Sequence, residues 1–237
     1  MAVHSAKDVP SELHGGLEIV AVPPRADPRD CVCGGRSLDD LPAAARVGTS
    51  SLRRRAQLLA RRPDLHVEDL RGNVDTRLLR LAQGHYDAIV LASAGLARLG
   101  LDAGQALAIE EMTPAAGQGA LALEARAGDE ATAAIAALVD DRDSRTCLSA
   151  ERALVATLGA SCRTPIGAHA WLAGDRLTLA SFVGVPDASI WIRDTVAGSA
   201  LDPVELGRHG AERLLRAGAR DVLAAADDHD AGAFAHD

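Results

Sequence analysis

Lys7 and Asp8 stand side by side in A-V-H-S-A-K-D-V-P, and Lys7 is the only lysine among the 25 basic residues of the chain. An aspartate beside a cation keeps a low pKa. Asp8 is therefore expected to stabilise a developing cation or to relay a proton, unless it merely caps a loop ahead of the rigid Val9-Pro10. Farther along, V-G-T-S-S-L-R-R feeds a strand end straight into a helix start. Free backbone N–H groups there, with the hydroxyls of Thr49, Ser50 and Ser51, can hold a carboxylate or phosphate. Arg53 and Arg54 fall in the first turn of that helix, the end at which the helix dipole disfavours cations, so a bound anion would explain them. L-R-G-N-x-x-T-R repeats the arrangement, with Arg71 at a strand end, Gly72 for a close approach and Arg77 one turn into the next helix. A guanidinium fork grips carboxylates bidentately, as an ammonium does not. The expected ligand is small and carries several carboxylates, which suits an enzyme and a binding module equally.

Four cysteines in 237 residues make no disulfide framework. Cys31 and Cys33 form a C-x-C without a nearby ligand pair, Cys147 faces a helix, and no metal site is expected. Cys162, in L-G-A-S-C-R-T-P-I-G, is a loop thiol beside Arg163, either nucleophilic through a lowered pKa or an ordinary buried cysteine. The net charge is −8, yet between Arg46 and Arg80 nine arginines face four acids. So local a cluster fits a small anion better than a nucleic acid, which would want a broader basic face and stacking aromatics. Aromatics are only 2% of the chain. No apolar run is long enough for a membrane helix and the start lacks the features of a signal peptide, so a cytoplasmic protein is expected. The apolar content of 48% is rich in small side chains, with 48 alanines, which favours helices and thin, tightly packed layers.

The elements that position these residues read as a repeated α/β pattern. LEIVAV at 17–22 is a strand ended by Pro23-Pro24, where a crossing between domains begins. Strands at 46–48, 65–70 and 86–92 each lead through a turn into a helix: one over about 51–62, one after Asn73 as N-cap, and a short one closed by Gly100. That repeat argues a parallel sheet covered on both faces, and ligands bind such sheets outside the carboxyl ends of the strands. GALALEA at 119–125 is a further buried strand, and 129–158 is mostly helix with a break near 141–143. GAHAWLA, DRLTLASFVG and ASIWIRDTVAG form an antiparallel meander, covered on one face by a helix over 203–217. The acidic tail from Asp227 is expected to fray.

Taken in order, these motifs resemble the hydroxymethylbilane synthase, or porphobilinogen deaminase, family. The resemblance is carried by HSAKDVP at 4–10, PRADPRD at 24–30, VGTSSLRR at 47–54, RRPDL at 61–65, LRGNVDTRL at 70–78 and YDAIVLASAGLARLG at 86–100. PAAGQGALALEAR at 114–126, SAERAL at 149–154 and the cysteine loop ending TPIGAHA complete it, to about Ala225. The resemblance implies two periplasmic-binding-protein-like α/β domains around a cleft, the first incomplete here, plus a C-terminal α+β domain with a three-stranded antiparallel sheet. The expected boundaries are 1–22 with 112–141, then 23–111, then 142–237.

It further implies a dipyrromethane cofactor attached covalently to Cys162, and Asp8 as the catalytic aspartate. Lys7, Thr49, Ser50, Ser51, Arg53, Arg54 and Arg71 would bind the cofactor, and Arg71, Arg77 and Arg98 the substrate. By the family's mechanism four porphobilinogens are deaminated in turn and joined head to tail, and the linear tetrapyrrole is then hydrolysed off. The implied partners are porphobilinogen and the growing polypyrrole chain, with no nucleic acid, no membrane and a monomeric state.

Family members begin with a strand and helix carrying R-x-S-x-L-A-x-x-Q, followed by a loop with a K-G-L-F-type motif. This chain aligns from about a quarter of the way in, so it is expected to be N-terminally truncated, with strands LEIVAV and GALALEA short of neighbours and cover. Ala6 stands where a methionine is usual, and Ala160-Ser161 precede Cys162 where glycines are common. Two other readings stay open: a truncated inactive fragment, or a non-catalytic protein that binds tetrapyrroles or polycarboxylates.

Overall fold

The computed structural model describes residues 1–35, 37–159 and 164–233, with side chains as far as Asp227. Its elements are β1 (Ala2–Ser5), β2 (Leu17–Ala21), β3 (Asp30–Cys33), β4 (Arg46–Gly48), α1 (Leu52–Arg61), β5 (His66–Glu68), α2 (Val74–Ala82), β6 (Ala88–Ala92), α3 (Ser93–Arg98) and β7 (Gln105–Ala106). There follow β8 (Leu121–Arg126), α4 (Glu130–Ala136), α5 (Arg142–Thr157), β9 (Ile166–Ala173), β10 (Arg176–Gly184), β11 (Trp191–Ser199), α6 (Pro203–Arg216) and α7 (Ala219–Ala233). Short 3-10 turns span Ala6–Asp8 and Ala137–Val139. The architecture is a three-domain α/β one: two binding-protein-like α/β domains and a C-terminal α+β domain.

The central sheet runs β5-β4-β6-β3-β7. Its β5-β4-β6 part is parallel, as the strand-turn-helix repeat requires, with Val47 opposite Val67 on one side and Ala88 on the other. To this expected parallel part β3 and β7, which the repeat did not include, add antiparallel. The reason is topological: β3 arrives from another unit rather than through a crossover helix, so nothing forces it parallel. Helices α1 and α2 start where expected. The Ser51 hydroxyl accepts from the Arg54 N–H at 3.4 Å, and the Asn73 side chain accepts from the Thr76 N–H at 2.9 Å.

In the first sheet β8 lies between β1 and β2, antiparallel to both. LEIVAV therefore is an edge strand, with Leu17 exposed, whereas GALALEA has a partner on each side and does not lack neighbours. Val3 of β1 is also exposed. The third sheet is the expected meander, with Val183 opposite Ile166 and Gly184 opposite Trp191. Leu177, Leu179 and Phe182 of β10 are fully buried, and covering each contributes about 1.5–3 kcal/mol relative to leaving it in water. Helices α5 and α6 supply Leu154, Leu206 and Leu214 to the core that holds Leu177 and Leu179. The tail expected to fray from Asp227 instead continues α7 to Ala233.

Residues 22–29 and 107–120 join the first two sheets and run together. Ala26 N–H donates to Gly119 O, the Gln118 amide to Pro28 O, and Ala6 N–H to Ala120 O. These crossings are the frame on which the candidate site is built.

Candidate functional site

β4 and β5 are parallel neighbours in register, so the turns after them open at the same sheet edge. Thr49 to Ser51 follow β4 and Arg71 follows β5, which brings the two sequence-expected anion turns together. Thr49 is buried, its hydroxyl accepting from Ser51 N–H at 3.2 Å, while Ser50 is exposed. The segment carrying Lys7 and Asp8 reaches this edge over the second crossing. Gly117, at φ +75°, permits that approach, because a Cβ there would stand 2.8 Å from the Ala6 carbonyl carbon and 2.9 Å from Lys7 N. Gly119, at φ +85°, is needed in the same way, with Ala26 O 2.5 Å from where its Cβ would be.

Arg53 and Arg54 do not point into open space. Both are buried and converge on Asp30, which is fully buried at the start of β3. Arg53 Nη1 donates to Asp30 Oδ2 and to Thr113 O, each at 2.7 Å, and its Nη2 to Asp30 Oδ1 at 3.2 Å. Arg54 Nε donates to Asp30 Oδ1 at 2.9 Å and its Nη1 to Val90 O at 2.9 Å. Gln118 Nε2 gives Asp30 one more bond, at 3.0 Å. Burial pushes the Asp30 pKa up, but the charges of Arg53 and Arg54 pull it down to about 2. The anion that two cations at a helix start call for is thus, in the first instance, a side chain of the protein.

The cluster still carries a surplus of cations. Lys7 is half-buried and its pKa is lowered, first by burial and then by the charge of Arg54, with Asp8 and Asp30 acting the other way. Arg77, half-buried with its Nε donating to Gly72 O at 2.8 Å, is lowered by burial and again by Arg54. Lys7 and Arg77 are therefore each within electrostatic reach of Arg54. Asp8 is exposed at the end of its 3-10 turn, free to meet a ligand. Arg71 is exposed and 3.6 Å from Asp69. Arg98, on α3, donates to Gly119 O at 2.9 Å, on the crossing rather than in the cluster. Cys162 lies outside the described residues. Thr164, two positions on, lines with Lys7 and Arg152 a small cavity of about 80 Å³.

Sequence reasoning missed the groups that hold this frame. Asp30 had a signal, as the one acid in an otherwise apolar strand, D-C-V-C. The Gln57 amide clamps the second crossing, accepting from Thr113 N–H at 2.8 Å and donating to Thr113 O at 3.0 Å. Glu151 of α5, fully buried, accepts from Arg25 Nη1 at 2.6 Å and Nη2 at 3.1 Å, from Gly117 N–H at 2.7 Å and from Ala170 N–H at 2.8 Å. One carboxylate thereby ties both crossings to the meander. Burial raises its pKa, but the Arg25 charge and His169 bring it down to about 2. Among the described residues no group of three or more His, Cys, Asp or Glu could hold a metal ion, and no helix is long and apolar enough to cross a membrane.

Comparison with known proteins gives two family matches: "Porphobilinogen deaminase, dipyromethane cofactor binding domain" over residues 1–134, and "Porphobilinogen deaminase, C-terminal domain" over residues 145–216. A porphobilinogen deaminase of Brevibacillus brevis is 50% identical over 228 residues, covering 94% of this chain and 73% of its own. Those of a Roseiflexus species and of Thiobacillus denitrificans are each 51% identical, covering 94% of this chain and 75% and 74% of theirs. The chain thus spans about three-quarters of the length of these relatives.

Proposed function

The chain belongs to the porphobilinogen deaminase family, and from that premise we propose that it works as a hydroxymethylbilane synthase, a cytoplasmic, monomeric transferase of tetrapyrrole synthesis. It would deaminate four porphobilinogens in turn and join them head to tail into a linear tetrapyrrole. The observation that supports this best is the surplus of cations around the exposed Asp8. Lys7 and Arg77 both feel the Arg54 charge although Asp30 is buried in the same cluster. Cations that repel one another in a partly desolvated site gain most from an arriving anion, and every pyrrole unit of this substrate brings an acetate and a propionate.

The donor set also suits a dipyrromethane. Its carboxylates need cations and hydroxyls, which Lys7, Arg71 and the turn of Thr49, Ser50 and Ser51 offer at one sheet edge, with Arg53 and Arg54 behind them. Cys162 would be the attachment point, and Thr164, where the loop returns, already shares a cavity with Lys7. Held there by a thioether, the group would supply the tether on which the chain lengthens, making each addition effectively intramolecular. Arg71, Arg77 and Arg98 would orient the substrate carboxylates.

Asp8 carries the charge chemistry. When ammonia leaves the aminomethyl group of porphobilinogen with the C–N bonding electrons, a cationic azafulvene remains. The Asp8 carboxylate, near the pyrrole N–H, stabilises that cation as it forms. Its position is fixed from behind, since Arg152 donates to the carbonyls of Val9, Pro10 and Ser11 at 3.3, 2.7 and 2.9 Å. Asp8→Asn removes the charge and keeps the shape. Turnover of porphobilinogen is expected to fall by at least about 100-fold with the covalent group retained. Near-normal turnover would take Asp8 out of the mechanism, and wild-type chain that binds porphobilinogen without consuming it would be the binding protein instead.

A further inference from the structure

A second cavity, of about 480 Å³, lies between β2 of the first sheet and helices α5 and α6 of the third. That volume falls within the range of about 300–1,000 Å³ typical of small-molecule sites. Ile19, Val22 and Leu148 give it an apolar floor, while Arg145, Arg152 and Arg208 line it without an aspartate or glutamate among the lining residues. In a chain of net charge −8 such a composition is unexpected. The three arginines differ in what neutralises them. Arg145 is paired with Asp140 at 2.8 Å, and Arg208, largely exposed, stands 3.8 Å from Glu205.

Among the described residues no acid neutralises Arg152. Its hydrogen bonds go to main-chain carbonyls of residues 9–11, and no carboxylate pairs with it among the described residues. Neutral carbonyls satisfy N–H groups but leave the positive charge whole, and in a partly desolvated groove that charge attracts an anion more strongly than it would in water. Burial also lowers its pKa, in keeping with a cation short of a counter-ion.

We propose that this groove is a second ligand site, adjoining the Asp8 site through Arg152, for a small molecule with a flat apolar body and one carboxylate. The body would cover Ile19 and Leu148, with the carboxylate toward Arg152 and Arg208. An occupant would bridge the first sheet and the α5–α6 pair at the guanidinium that holds the backbone just after Asp8, binding the two units more firmly together.

The test is calorimetric titration of the full chain with naphthoate, and with naphthamide as the uncharged counterpart. Naphthoate is expected to bind one to one, and naphthamide about tenfold or more weaker, as loss of a charge-assisted bond predicts. Arg208→Glu reverses a charge at the rim, and Ala156→Trp fills the mouth from an exposed position; neither residue belongs to the Asp8 cleft. Each should weaken naphthoate by about tenfold, and saturating naphthoate should raise the unfolding midpoint of the wild type well above its effect on either variant. Absence of binding, equal affinity for the amide, or an affinity that both variants leave unchanged would overturn the proposal, the last by placing the ligand in the Asp8 cleft.

Discussion

Asp30 governs what Arg53 and Arg54 are free to do. With both guanidiniums engaged on one buried carboxylate, the pair acts first as a charged platform that fixes the start of α1, and the Arg54 charge is felt by both Lys7 and Arg77. Asp30→Asn would leave two buried cations without a counter-charge, and breaking a buried ion pair from one side costs about 3–5 kcal/mol. Urea denaturation is expected to show a loss of that size, and a change of under about 0.5 kcal/mol, as at an ordinary surface position, would mean that Asp30 is not the keystone described. The residue types at this site were largely legible: Lys7, Asp8, the Thr49–Ser51 hydroxyls and Arg77 are all at one sheet edge. What stayed hidden were the partners. Asp30 lies 23 positions from Arg53 and 88 from Gln118, and nothing local in one sequence records a pairing across such distances.

At the scale of elements, local chemistry was readable wherever it was self-contained. Ser51 and Asn73 announce α1 and α2 because a cap bonds within its own helix, and the meander declares itself through alternation and short turns. β3 and β7 were not readable. Four buried residues and a two-residue bridge have no period, and their antiparallel pairing depends on where the crossings deliver them. Glu151 shows how an element can secure those crossings, since α5 reaches both through one carboxylate. Its pKa is about 2 in the folded chain against an ordinary 4.5, so the folded state binds fewer protons than the unfolded one between those values. The stabilisation is therefore whole above pH 4.5 and drains away as pH falls through about 2, with Asp30 acting in the same sense from 3.8 to about 2. Stability measured against pH should fall steeply over that acid range, and Glu151→Gln should flatten the fall while lowering stability near neutrality. An acid limb unchanged by the substitution would show that the carboxylate does not hold the crossings through its charge.

The molecule as a whole sets an anionic chain around a cationic cluster. Asp8 reaches that cluster from the first sheet and the arginines from the second, while Cys162 falls in the sequence between α5 and β9 of the third unit. On the proposed function no single unit contains the chemistry, which is why the crossings, with Gly117 and Gly119, and the Glu151 contacts matter as much as the reactive residues. The three-unit layout followed from the order of motifs. Its mutual packing did not, because it rests on close approaches such as Gly117 against Lys7 that only the assembled backbone reveals. The central claim is that this assembly builds and holds a covalent dipyrromethane on Cys162, and the intact mass of the purified, denatured chain tests it most directly. The account predicts a mass higher than that of the polypeptide by two pyrrole units, restored to the bare value by Cys162→Ser. A wild-type chain of bare polypeptide mass, or an adduct that survives Cys162→Ser, would contradict it.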